Sequence, residues 1–345
     1  MRNRRCIGLS VLAALGLATQ LPAAEVVKVN GYLEFQKPPY LIVDAQRIQV
    51  TDRTRLKAGR IRKAADLPLG YEIHATGSRA KDGTLVAAQI EARKNGSEFL
   101  ERDVMDQTNK AEKAYVQAKK VADAGPDGKE RLIGTLIDSG PEVERARRIV
   151  DRLLPAYVNP KQVRVYVVDN KEWNAMAMAN FSVYVFSGLM ADLDDDELAI
   201  VLGHELAHAT YEHSRRQAKT GMIGGIAGGA ASMGADLMKS DVAKAAAQQV
   251  TALGVMTFGN AYSRSYEDQA DRVGLRYVYE AGYDYTKAPN LWRRFAAKYG
   301  DQDKVSNFFF GDHSLSAKRA KQLEREIARN YSDPAKDPPT HTAVR

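Results

Sequence analysis

The chain has 345 residues, with 50 Lys and Arg against 43 Asp and Glu, a formal net charge of +7 and a single cysteine. Basic residues are interspersed with acids rather than gathered in a stripe, and no nucleic-acid motif is present, which argues against DNA or RNA as a partner. The lone thiol, Cys6, sits too near the amino terminus to support a disulfide framework or a cysteine nucleophile in the body of the chain.

Residues 1–5 carry three arginines, residues 7–18 are an apolar run, and Pro22, Ala23 and Ala24 follow, the pattern of a secretory signal peptide over 1–24. The run is too short for a comfortable membrane span. Cleavage near Ala23 or Ala24 removes Cys6 and three arginines, lowering the charge from +7 to about +4. The expected location is periplasmic, with membrane association left open.

Residues 25–95 alternate in the manner of short strands, with Asp82 and Gly83 as a hairpin turn. Five or so strands predict a small β-barrel, resembling OB-like modules of bacterial envelope proteins. His74 there reads as a strand residue with no metal role. A polar linker is expected over 96–110. Helical patterns follow, including PEVERARRIVDRLLPAY over 141–157, whose apolar residues are Val143, Ile149, Val150, Leu153 and Leu154.

The most informative string is HELAH, with His204 and His208 four apart and Glu205 beside the first. On a helix, residues four apart lie nearly above one another, so both imidazoles reach one metal ion, and a tetrahedral zinc is the natural occupant. Composition alone predicts roughly 0.005 chance matches to HExxH, so coincidence is a poor explanation. Asp194 as N-cap and Glu197 three residues on form a capping-box pattern ahead of a mostly apolar helix. His213 falls about 140° round that helix from His208 and about 180° from His204, and so reads as a solvated or structural histidine facing elsewhere.

Two histidines leave a catalytic zinc one protein ligand short. Beyond a glycine- and alanine-rich stretch over 221–238, read as a tightly packed helical segment rather than a span, SRSYEDQADRVGL supplies Glu267 and Asp271, four apart on one helix face. Glu267 is the expected third ligand. Asp271 is expected to accept a hydrogen bond from a ligand histidine and so orient it.

HELAH followed by ExxxD at Glu267 and Asp271 resembles the gluzincin metallopeptidase family that contains the CAAX prenyl endopeptidases, the HtpX-like proteases and the bacterial periplasmic quality-control proteases. The likeness runs over residues 163–323. It implies that VRVYVVDNKEWNAMAMANFSVYVFSGLM forms a strand and edge-strand hairpin, in which Asn174 and Ala175 precede the strand that aligns substrate. It implies that Glu205 is the general base. It also implies that His313, in DHSLSAKR, stabilises the oxyanion or occupies the open zinc position at rest, although Ser314 stands where the family usually has proline. Arg319, six residues on, buttresses that loop or touches substrate, and within SAKRAKQLEREIARN it reads equally as a surface arginine. Gln269, where the family carries an acid, reads as peripheral.

The expected architecture is α+β: a zincin-like, mainly helical metallopeptidase domain with a small edge-strand sheet over 111–329, preceded by the OB-like module and followed by a disordered tail over 330–345. The resemblance implies a zinc metalloendopeptidase with one Zn2+ per chain, acting on unfolded or misassembled envelope proteins, with room for peripheral contact with the outer membrane or its assembly machinery. The rival reading is a periplasmic chaperone or assembly factor with little proteolysis, which needs the edge strand but not Glu205. The β module holds no catalytic candidate and is expected to be dispensable for peptide hydrolysis.

Overall fold

A computed structural model describes residues 26–94, 98–124, 130–217, 262–299 and 317–331. The leader, the 221–238 stretch, His313 and the tail beyond Tyr331 lie outside the described residues.

The amino-terminal strands are β1 (Val27–Lys37), β2 (Tyr40–Val43), β3 (Gln46–Gln49), β4 (Arg55–Lys57), β5 (Glu72–Arg79) and β6 (Leu85–Arg93). Burial alternates along β5, as a strand with one covered face requires. Leu33, Ile48, Ile73, Leu85 and Ile90 form the fully buried centre of this module. The β5–β6 hairpin turns through Gly83, whose φ of 83° is open to glycine without strain. The closed OB-like barrel is not confirmed. The strand order is β3-β2-β1-β5-β6-β4, and β3 touches β6 over only two residue pairs, Ile48 with Leu85 and Gln49 with Val86. The three residues of β4, which sequence alternation did not reveal, take the rest of that β6 edge.

Where a polar linker was expected, residues 98–118 form the helix α1 (Glu98–Ala118). Its polar composition hid it: Ala111, Tyr115 and Val116 are the apolar residues that it packs on the second sheet, and buried Glu112 is held by both guanidinium arms of Arg164. That sheet comprises β7 (Lys120–Ala124), β8 (Glu130–Ile137), β9 (Arg164–Asp169), β10 (Ala175–Ala177) and β11 (Ser182–Phe186), in the order β10-β11-β9-β8-β7. All five residues of β11 are buried, and β10 lies at the edge, antiparallel to β11.

The helices are α2 (Pro141–Leu153), α3 (Ser187–Asp192), α4 (Asp195–Thr210), α5 (Arg264–Glu280), α6 (Ala288–Tyr299) and α7 (Ala317–Asn330). The α2 face buries Val143, Ala146, Ile149, Val150 and Leu153. The capping box of α4 is present, with Asp194 accepting from the Glu197 amide at 2.9 Å. Arg145 and Lys287 clamp the same end: Arg145 donates to Asp195 and to the Met190 and Leu193 carbonyls, and Lys287 to Asp194 and Asp196. Residues 198–209 are buried without a break, so α4 is the axis of this core. Of the tail expected over 330–345, the two described residues are ordered. Asn330 closes α7, and Tyr331 is buried against the rings of Tyr279 and Tyr285. Among the described residues no helix is long and apolar enough to cross a membrane.

The two central helices, α4 and α5, meet at glycines. A Cβ on Gly274 would lie 2.7 Å from both the Gly203 carbonyl carbon and the His204 amide nitrogen. Gly274→Ala must therefore push α5 off α4. Urea unfolding is expected to show a loss of about 1–3 kcal/mol, the usual range for overpacking, and wild-type stability would mean that the helices have slack at the crossing.

Candidate active site

The close crossing of α4 and α5 brings three buried donor groups together. His204 Nε2 lies 3.1 Å from His208 Nε2, Glu267 Oε2 lies 3.6 Å from His204 Nε2, and Glu267 Oε1 lies 3.4 Å from His208 Nε2. Two ligands held at about 2.1 Å by a tetrahedral metal are about 3.4 Å apart, so the three separations fit a zinc-sized ion. Among the described residues this is the one group of three or more His, Cys, Asp or Glu side chains placed to hold a metal.

The other nitrogen of His204 is also occupied. Asp271 Oδ1 lies 2.9 Å from His204 Nδ1, and Arg319 grips Asp271 with two bonds, Nε to Oδ2 at 2.8 Å and Nη2 to Oδ1 at 2.6 Å. A carboxylate only accepts, so the Asp271 contact requires Nδ1 to carry the ring proton and leaves the Nε2 lone pair facing the pocket, while Arg319 Nη2, 3.2 Å from Nδ1, directs its shorter bond to Asp271. Burial pushes the Asp271 carboxyl up, yet Arg319 and His204 outweigh it and hold Asp271 below the usual carboxylate range. Arg319 is only 2% exposed, its charge faces Glu267 at 3.1 Å and its plane lies 3.9 Å from the Trp292 ring centre. The surface-arginine reading is overturned: the α7 pattern looked amphipathic because its buried stripe includes a charge.

His213 and Gln269 also depart from expectation. His213 is fully buried, its Nδ1 2.9 Å from His208 Nδ1 and its Nε2 3.0 Å from Gln269 Oε1. Extrapolating 100° per residue fails here because α4 ends at Thr210 and Glu212 adopts a φ of +57°, turning the chain so that His213 folds back beside the helix. No glycine or asparagine marks that stop in the sequence. Burial pushes His213 well below the ordinary histidine range, helped by His208 and Arg216. Tyr262 stacks on His208 and Tyr266 on His213, at 4.0 and 4.7 Å between ring centres. Gln269 is buried at the α5–β1 contact and donates to Glu34 and Asp44 of the β module, a role that nothing in its sequence neighbourhood signals.

Glu205 is buried on α4 beside His204. Asn174 and Ala175 are buried where β10 begins beside α4, and the Asn174 carbonyl accepts from Phe186 at 2.9 Å. The Asn174 side-chain amide nitrogen is buried with no hydrogen-bond partner among the described residues.

A HExxH helix that shares its pocket with a carboxylate from a second helix places the protein among the metallopeptidases. The model of peptidase family M48 matches residues 141–327, more than half of the chain, and the chain belongs to that family. It is 29% identical over 168 residues to the mitochondrial metalloendopeptidase OMA1 of Bos taurus, covering 47% of this chain and 32% of that protein. It is 26% identical over 195 residues to metalloprotease LoiP of Escherichia coli K12, covering 56% and 74%. To the beta-barrel assembly-enhancing protease of Yersinia pestis it is 29% identical over 172 residues, covering 43% and 34%. The chain thus spans about a third of two of these relatives. The expected metallopeptidase family is borne out, and the relatives carry the names of metalloproteases and metalloendopeptidases. The β module and α1 precede the matched region.

Asp271→Ala removes the doubly bonded partner of a buried guanidinium. Breaking such a pair costs about 3–5 kcal/mol, so urea unfolding of metal-free protein should show a loss of that size. A change below about 1 kcal/mol, the usual worth of an exposed pair, would mean that solvent reaches Arg319.

Proposed function

We propose that the chain is a zinc-dependent endopeptidase that cleaves misfolded or assembling cell-envelope proteins in the periplasm. The observation that carries the catalytic half of this reading is the convergence of three buried donors beside the edge strand β10. The amino-terminal leader pattern and the printed name of the Yersinia pestis relative support the envelope setting and a link to outer-membrane protein assembly.

His204, His208 and Glu267 would hold the ion through the two Nε2 lone pairs and the carboxylate, with a fourth position open. Zinc held by these three groups would supply a Lewis acid that polarises the scissile carbonyl and acidifies the attacking water. Glu205 accepts the proton of that water and returns it to the leaving amine. Asp271 fixes the His204 ring with Nε2 inward, and Arg319 neutralises Asp271 so that the carboxylate survives burial. The segment at Asn174 and Ala175 leads into β10, an edge strand among the described residues that would pair with an extended peptide, and the buried Asn174 amide would donate to the substrate backbone. His313 is assigned by resemblance to the oxyanion.

Purified wild type and Glu205→Gln, assayed on an unfolded protein with and without added zinc, test the reading. Glu205→Gln should keep its zinc and lose activity by at least about 10² to 10⁴ fold, the range for a general acid–base. Comparable cleavage by the variant would instead favour contaminating protease or the chaperone role. Metal analysis of His204→Ala and Glu267→Ala checks the ligands, since full zinc occupancy in both would refute the assignment.

A further inference from the structure

The bond chain behind His208 leads out of the matched peptidase region. From His208 Nδ1 it passes to His213 Nδ1 at 2.9 Å, from His213 Nε2 to Gln269 Oε1 at 3.0 Å, and from Gln269 Nε2 to Glu34 Oε1 at 2.7 Å and Asp44 Oδ1 at 2.9 Å. Glu34 lies on β1 and Asp44 in the turn between β2 and β3, both in the β module. The module is seated on this spot by further contacts. Arg272 donates to Glu34, the Tyr211 hydroxyl donates to the Leu33 and Glu34 carbonyls, and Arg216 lies 3.2 Å from the Tyr32 ring centre.

With both imidazoles neutral, each link has one allowed direction. Carboxylate oxygens accept, so the Gln269 amide must turn its NH2 toward Glu34 and Asp44 and its oxygen toward His213. Arg216 enforces the same orientation by donating to that oxygen at 2.8 Å. His213 therefore carries its proton on Nε2 and offers a lone pair at Nδ1. His208 in turn must carry its proton on Nδ1, which leaves Nε2 bare toward Glu267 and His204. We propose that the β module positions the metal ligand: Glu34 and Asp44, through Gln269 and His213, hold His208 in the tautomer whose Nε2 binds zinc. The inference rests on the reading of His208 as a ligand. It also gives the module a part in building the site, against the expectation that it is dispensable.

Nitrogen-15 NMR of the histidine rings in zinc-loaded full-length protein reads the tautomers directly. The expected spectrum has His213 protonated at Nε2 and His208 at Nδ1; a His213 proton on Nδ1 overturns the proposal without any variant. Gln269→Leu keeps the volume but removes both ends of the relay, and chelator competition should show zinc affinity down by about 10 to 100 fold, as loss of a ligand-orienting partner does. The double variant Glu34→Gln with Asp44→Asn, altered only in the β module, should weaken zinc in the same direction. Wild-type affinity in folded Gln269→Leu overturns the relay, and wild-type affinity in the folded double variant overturns the module's part in it. His208→Ala separates the two levels of the argument: if it retains zinc at wild-type affinity, the ligand assignment itself fails, whereas lost affinity there with unchanged affinity in Gln269→Leu sinks only the relay.

Discussion

The backbone contact between α4 and α5 at Gly203 and Gly274 is the constraint on which the rest of the centre depends. No side chain separates the helices there, so the first two turns of α5 lie close enough for Glu267 to face both histidines and for Asp271 to reach the rear of His204. Any residue larger than glycine would hold the carboxylates back from the rings. The edge strand β10 lies beside α4, which puts the surface available to an extended peptide next to the same pocket.

Burial then sets the electrostatic terms. Glu205, Glu267 and Asp271 are carboxylates removed from solvent, and Arg319 is the guanidinium buried with them. Charges removed from water are costly unless they are paired, and Arg319 faces Glu267 as well as Asp271. A divalent cation held, as proposed, by His204, His208 and Glu267 would add positive charge to this buried group as well as supply its chemistry. Arg319 serves the same balance from the other side by stacking on Trp292 while it neutralises Asp271.

What could be read from the sequence was what depends on spacing within one element. HELAH, the Asp194 and Glu197 capping box, the four-residue step from Glu267 to Asp271, the apolar face of α2 and the Asp82-Gly83 hairpin are all local periodicities, and the structure contains each of them. What escaped notice depends on contacts between distant elements or on irregular backbone. His213 was misplaced because a left-handed residue at Glu212 breaks the helical count. Gln269 lies on the opposite face of α5 from the ligands, a face given meaning only by β1. The helix α1 buries a charged pair where its apolar stripe would otherwise have been wider, and so read as a linker. Short strands without long alternation also concealed the pairing at the β6 edge, which β3 and β4 divide between them.

The distance in sequence between the β module and α5 bears on when the centre can form. The Gln269 to Glu34 bond spans 235 residues, whereas the Asp271 to Arg319 pair spans 48. Loop closure over the longer span costs about 1 to 1.5 kcal/mol more in chain entropy, and contacts of high separation form late in folding. The ligands and Arg319 can assemble from the last half of the chain, but the support behind His208 waits until the first strand has returned to meet α5. A nascent or partly folded copy therefore lacks part of the scaffolding around the proposed metal ligands, and full maturation of the centre is tied to completion of the whole tertiary structure.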